Sequence, residues 1–173
     1  MKKCVFFDRD GIVNRSPGPG YVERWDDFVL QLEFVEVLRA IRERGYEAVV
    51  VSNQGGVGKG IMTREAVDGI HGNLRRVLSE EHGLKLLDIL YCPHNNDGCA
   101  CRKPQPGMLL EAADRHGLDL PSSWMVGDQE RDVEAGRRAG CRTILVSGEA
   151  AESRADRRVK DLRELKTLLE SIL

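Results

Sequence analysis

Short apolar runs alternate with stretches of helical spacing, and this alternation constrains the chain most. Cys4-Val5-Phe6-Phe7 and Ala48-Val49-Val50-Val51 are too short for helices and show no polar alternation, so each reads as a strand buried on both faces. Between them, Leu32 to Arg44 carries Phe34, Val37, Leu38 and Ile41 on one helical stripe and stops at Gly45. The pattern then repeats. Thr63 is placed to cap a helix that reaches His82, with Gly83 behind it. Leu84 to Cys92 reads as a strand, Met108 to His116 as a helix introduced by Pro106-Gly107, and Ser123 to Gly127 as a strand. A helix over Arg131 to Ala139, a strand over Thr143 to Val146 and an amphipathic helix over Leu162 to Ile172 complete the series. Strands separated by helices need crossover connections, so the expected fold is α/β, a doubly wound, Rossmann-like parallel sheet. The 173 residues show no repeat, no low-complexity tract and no linker, and residues 1–173 are expected to form one domain.

Composition removes several partners. A net charge of −2 with no sustained basic run argues against nucleic acid, since binding to a phosphate backbone needs clustered Lys and Arg. The local basic excess at Arg154 to Lys160 reads as a solvated surface. No run approaches the roughly 18 apolar residues of a membrane span, and the few apolar residues before Asp8 are too short for a signal peptide. The expectation is a cytoplasmic monomer whose five cysteines are thiols or metal ligands and not a disulfide framework. Cys4 and Cys141 adjoin strands and read as buried thiols, and Trp25 and Trp124 as packing residues.

In a parallel sheet, ligands bind beyond the carboxyl ends of the strands. The first strand ends in Asp8-Arg9-Asp10-Gly11, the second in Ser52-Asn53-Gln54 and the fourth in Gly127-Asp128, with Asp132 four residues on. Arg102-Lys103-Pro104 precedes the helix that leads to the fourth strand. Residues i and i+2 of an extended chain point the same way, so Asp8 and Asp10 face one small volume. At an effective dielectric of 20, two charges about 4 Å apart repel by roughly 4 kcal/mol, so a cation, a proton or phosphate chemistry has to account for them. Taken singly, such residues are ordinary turn formers. Together, the three strand-end carboxylates Asp8, Asp10 and Asp128, a hydroxyl and a lysine suit phosphoryl transfer with a divalent ion.

A second cluster lies between Cys92 and Cys101. Cys92, His94, Cys99 and Cys101 offer three sulfurs and one imidazole within ten residues, the donor set of a closed tetrahedral zinc site. With every position filled by protein such a zinc is structural, and Arg102 and Lys103 follow its last ligand directly.

These motifs, from Asp8-Arg9-Asp10-Gly11 with Asn14, through Ser52-Asn53-Gln54 and Cys101-Arg102-Lys103-Pro104 with Pro106-Gly107-Met108, to Gly127-Asp128 with Asp132, resemble those of the haloacid dehalogenase (HAD) superfamily of phosphatases. Within it they resemble the heptose bisphosphate and histidinol-phosphate phosphatase branch, whose zinc loop the cysteine cluster also matches. The resemblance implies a HAD-like fold and a small phosphorylated sugar or alcohol as substrate, and the short stretches from Asp8 to Ser52 and from Ser52 to Lys103 leave no room for a cap domain. It implies Asp8 as the nucleophile, Asp10 as acid and base, and Ser52 and Lys103 as holders of the phosphoryl group. It further implies Mg2+ on Asp8, Asp128 and the Asp10 carbonyl, and substrate contacts from Gly20, Tyr21, Asn53, Gln54 and Arg102. Two positions depart from the pattern of the heptose enzymes: Ile12 where threonine is common, and Gln129 where lysine is common.

Other features read more plainly. Gly55 to Gly60 lacks the first glycine and the final Ser/Thr of a P-loop, and is expected to be a flexible loop beside the site. His71, His82 and His116 are expected at the surface or at helix ends. Outside the enzyme class, two readings use the same residues: a receiver domain phosphorylated on an aspartate, and a zinc-stabilised binding module.

Overall fold

The computed structural model describes residues 1–96, 98–149 and 152–173. Among them, six strands form one parallel sheet: β1 (Cys4–Phe7), β2 (Glu47–Asn53), β3 (Asp88–Cys92), β4 (Trp124–Gly127), β5 (Arg142–Val146) and β6 (Arg157–Val159), in the order β3-β2-β1-β4-β5-β6. Five helices connect or follow them: α1 (Leu32–Glu43), α2 (Arg64–His82), α3 (Gly107–His116), α4 (Glu130–Ala139) and α5 (Leu162–Ile172). The pleat splits the apolar residues of each strand between two cores. Val5 and Phe7 of β1 meet Phe34, Leu38, Ile70, Leu74 and Leu165 from α1, α2 and α5. Cys4 and Phe6 meet Met108, Leu109 and Ala135 from α3 and α4. A sheet covered on both faces explains why its strands read as continuous apolar runs.

The expected elements are present with small shifts. Thr63 caps α2 by accepting a hydrogen bond from the Ala66 N–H at 3.1 Å, and Gly83 closes it in the left-handed region. The third strand starts at Asp88 and not at Leu84, because Leu84 and Leu86 are buried in the connection that leads into it. The larger correction concerns Arg154 to Lys160, which contains the edge strand β6. Ile144 to Val146 of β5 pair with Arg157 to Val159, where Val159 is buried and both arginines are exposed. Two arginines before one valine carry no strand period, so pairing with β5 makes this strand, and its charges keep the edge from pairing further. Of the two departures from the family pattern, Ile12 is fully buried in the core and Gln129 is exposed at the start of α4.

The chain enters at the centre of the sheet, builds β2 and β3 to one side, then crosses to β4 on the other. The switch point therefore lies between β1 and β4, where the Asp8 N–H bonds the Val126 carbonyl at 3.0 Å. No inserted domain stands over it among the described residues: one 3-10 turn (Trp25–Asp27) is the only regular structure between β1 and α1.

Candidate active site

Asp8 leaves β1 at its carboxyl end, and the next residues wrap around one carbonyl. The N–H groups of Ile12, Val13 and Asn14 all bond the Arg9 carbonyl at 2.8 to 3.2 Å. Gly11 has φ +96°, and a Cβ there would lie 2.1 Å from Asp128 Oδ2. No other residue allows Asp128 to come so close to this loop. From the far side of the switch point, Asp132 in the first turn of α4 accepts the Gln129 N–H on Oδ2 at 3.1 Å and pairs with Lys103 through Oδ1 at 2.8 Å.

Lys103 is the electrostatic centre. Its ammonium is buried and donates to Asp8 Oδ1 at 2.7 Å and to the Val51 carbonyl at 2.8 Å, while pairing with Asp132. Burial alone would lower its pKa, but Asp132 and Asp8 outweigh burial and hold it above the ordinary lysine value. The carboxylates outnumber it. Burial pushes Asp8 up to about 8, with Asp132 adding to the rise and Lys103 opposing it, and Asp128 is raised by burial and by Asp132. One ammonium thus faces three carboxylates.

This arrangement fits a divalent cation. Oxygens of Asp8, Asp128 and Asp132 converge within 4.8 Å of one another, and Asp128 Oδ1 is buried with no hydrogen-bond donor among the described residues. Hard carboxylate oxygens are the ligands that Mg2+ prefers. The cysteine cluster fits zinc equally well. Cys92 Sγ lies 3.6 Å from Cys99 Sγ and 3.3 Å from His94 Nδ1, and Cys101 Sγ lies 3.3 Å from the same nitrogen. These separations are close to the edges of a tetrahedron with bonds of about 2.0 to 2.3 Å. Burial and the neighbouring sulfurs push the Cys101 thiol up to about 12, while the Arg102 N–H and those sulfurs outweigh burial at Cys99 and bring it down to about 6. Without a cation the cluster therefore tolerates one thiolate more readily than three.

Asp10 and Ser52 complete the rim. Asp10 Oδ1 accepts from Arg9 Nε at 3.0 Å, Arg9 Nη2 at 2.9 Å and Asn14 Nδ2 at 2.9 Å, whereas Oδ2 accepts from Gln54 Nε2 at 3.2 Å. Ser52 Oγ accepts from the same Gln54 amide at 2.8 Å, which leaves its hydroxyl proton free to be donated. Gln54 is fully buried and spans Ser52 and Asp10. Asn53 faces Lys103: its Oδ1 accepts the Lys103 N–H at 2.9 Å and its Nδ2 donates to the Lys103 carbonyl at 3.0 Å. Both ends of this amide hold the lysine's backbone. Arg102 lies over Gly55 and donates to the His94 carbonyl at 3.0 Å. Tyr21, beside the exposed Gly20, packs on Gly56, and its hydroxyl accepts from Lys59 Nζ at 2.8 Å. A cavity of about 540 Å³ bordered by Arg15, Leu32 and Arg163 includes none of these residues.

Two expectations need correction. The Gly55–Gly60 loop is pinned: the Gly58 N–H bonds the Pro93 carbonyl at 2.8 Å and the Lys59 N–H bonds the Gly55 carbonyl at 3.1 Å. His71 is neither at the surface nor a cap. It is 6% exposed and accepts from Arg9 Nη1 at 3.1 Å, because α2 lays that face against the loop after β1. The same fold reveals Arg9 as a fully buried cation and Asp132 as the second anchor of Lys103. A signal existed only for Asp132, which sits one helical turn beyond Asp128.

A profile of the HAD-hydrolase-like family matches residues 100–167. The D-glycero-beta-D-manno-heptose-1,7-bisphosphate 7-phosphatase of Helicobacter pylori is 33% identical over 171 residues, covering 97% of this chain and 98% of its own. A D-glycero-alpha-D-manno-heptose-1,7-bisphosphate 7-phosphatase of Photorhabdus laumondii is 37% identical, covering 83% of this chain and 82% of its own. The crystal structure of the D,D-heptose 1,7-bisphosphate phosphatase of Bordetella bronchiseptica, complexed with magnesium and phosphate, superimposes with a TM-score of 0.88 at 29% identity over 99% of both chains. Relatives of this kind displace the receiver-domain and binding-module readings. The chain therefore belongs to the HAD-like hydrolases, as a phosphatase of the heptose-1,7-bisphosphate 7-phosphatase family.

Proposed function

We propose that this protein is a Mg2+-dependent phosphatase that removes the 7-phosphate of D-glycero-D-manno-heptose 1,7-bisphosphate through an aspartyl-phosphate on Asp8. The observation that carries the reading is the cluster of Asp8, Asp128 and Asp132 around Lys103 at one switch point, in a chain whose relatives bear that name. Asp8, Asp128 and the backbone carbonyl of Asp10 would hold Mg2+, which when bound neutralises carboxylate charge and polarises the phosphoryl group.

The chain's own residues do the rest. Lys103 keeps Asp8 in place and offsets the charge of the incoming phosphate, and Ser52 donates its free proton to a phosphoryl oxygen. Asp8 attacks phosphorus in line, so that an Asp8 O–P bond forms as the ester P–O bond breaks, and Asp10 gives its proton to the departing alkoxide. Asp10 then takes a proton from water, whose oxygen attacks the aspartyl-phosphate, releasing inorganic phosphate and restoring Asp8. Cys92, His94, Cys99 and Cys101 would hold a structural zinc, which when bound would fix the loop that leads into Arg102.

The test is phosphate release from the alpha and beta heptose bisphosphates and from histidinol phosphate, with and without Mg2+. The reading expects Mg2+-dependent turnover that leaves heptose 1-phosphate. A higher kcat/KM for histidinol phosphate, or loss of the 1-phosphate, would replace the substrate and leave the chemistry standing; metal-independent turnover would overturn the chemistry.

A further inference from the structure

Arg9, between the two aspartates, is fully buried and among the described residues pairs with one carboxylate, that of Asp10. Burying a guanidinium is costly unless its donors are satisfied. Here Nε and Nη2 reach Asp10 Oδ1, Nη1 reaches His71 Nε2, and the Phe28 ring lies 5.7 Å from the guanidinium carbon. A guanidinium can only donate, so His71 Nε2 must be the acceptor and its proton belongs on Nδ1. Burial and Arg9 together bring the His71 pKa down to about 3, so the imidazole is a neutral acceptor and cannot itself serve as an acid near neutral pH. The consequence reaches Asp10. Its Oδ1 accepts from three N–H groups, which leaves no room for a proton, whereas Oδ2 accepts one from Gln54.

We propose that His71 and Arg9 form a buried positioning relay: His71 orients the guanidinium, and Arg9 with Asn14 occupies Asp10 Oδ1, so that the proton Asp10 exchanges with the leaving group and with water is confined to Oδ2. The inference rests on the reading of Asp10 as acid and base. Neither relay residue touches the substrate; each acts through Asp10. A purely structural role for the pair would affect every substrate alike, whereas a role in positioning the acid depends on the leaving group. A nitrophenolate departs without a proton, and a sugar alkoxide does not.

The test compares kcat/KM for the alkyl phosphate that the wild type turns over fastest, the heptose bisphosphate on the reading above, with kcat/KM for 4-nitrophenyl phosphate. The variants are His71→Phe, which removes the acceptor, and His71→Gln, which keeps one. Because the ratio is taken within one preparation, it does not depend on the folded fraction. A positioning group misplaced by about 1 Å costs on the order of 100-fold. His71→Phe should therefore lower the alkyl-to-aryl ratio by about 10- to 100-fold, chiefly through kcat, while His71→Gln stays within about threefold of wild type. An unchanged ratio in His71→Phe, or an equal fall in both variants, overturns the relay. Asp10→Asn runs beside them: if it also leaves the ratio unchanged, the role of Asp10 is wrong; if it lowers the ratio and His71→Phe does not, the relay alone fails.

Discussion

Asp8 is asked to be a nucleophile in a place that disfavours its charge. Burial and Asp132 raise its pKa to about 8, and the Lys103 bond at 2.7 Å does not cancel them. Function and stability therefore pull apart at this residue. Asp8→Asn keeps an oxygen for Lys103 and removes one of three crowded charges. Turnover should fall by on the order of 10³-fold or more, the scale seen when a covalent catalyst loses its nucleophile. The melting temperature of the metal-free variant should equal or exceed that of the metal-free wild type, since like charges about 4 Å apart cost roughly 4 kcal/mol at an effective dielectric of 20. Calorimetry beside a phosphate-release assay checks both parts; a variant that keeps its turnover refutes the covalent route, and one that melts lower refutes the electrostatic account.

Among the loops, the one that carries the cysteine cluster and Lys103 is tied to the sheet through backbone contacts. Cys92 closes β3, its carbonyl accepts the Gln54 N–H at 2.8 Å, and the two-ended amide of Asn53 grips the Lys103 backbone. Two supports thus place Lys103, the cysteine cluster on one side and Asn53 on the other. On the zinc reading Cys99→Ser removes one of four ligands, and because the binding free energy of a structural zinc is largely folding free energy, the loop should lose order while the sheet stays folded. Metal analysis should find far less than one zinc per chain, and kcat/KM should fall by about 100-fold. A zinc-free variant with wild-type kcat/KM would show that Asn53 alone suffices to place Lys103. Asn53→Ala separates the two supports: it should retain zinc and still lose activity.

For the molecule as a whole, the sheet is held by two apolar cores, but the buried face of α2 brings a pH-sensitive group inside. His71 faces Arg9 and Asp10 from the loop after β1, Tyr91 from β3 and Arg75 from its own helix. Its pKa is about 6.5 in an unfolded chain and about 3 here, so between these values the unfolded chain binds a proton that the native protein does not. Its contribution is complete above pH 6.5 and is lost as pH falls toward 3. At pH 5 the loss is about 2 kcal/mol. Denaturant unfolding at pH 7 and pH 5 should show this difference in the wild type, and His71→Gln should flatten it; equal slopes in the two proteins would mean that His71 is protonated in the native state.

Local patterns were readable before any fold was known. Apolar periods, the Thr63 cap and the glycine stops depend on neighbours within a few residues, and they placed five strands and five helices correctly to within a few residues. Asp8, Asp10 and Asp128 just beyond strands and Ser52 near the end of one were legible as neighbours of one sheet edge, and the cysteine cluster was legible because its donors lie within ten residues. Contacts between distant segments were not readable. His71 meets Arg9 across 62 residues and Lys103 meets Asp8 across 95, and a histidine on an amphipathic helix shows the same period whether it faces water or a buried guanidinium. Asn53 ends its strand like any residue at a sheet edge, and only the return of the chain after the cysteine cluster turns its amide to the Lys103 backbone. β6 shows the same limit: with one apolar residue in three it owes its strand to β5, because its backbone hydrogen bonds are made by a partner that the local sequence does not contain.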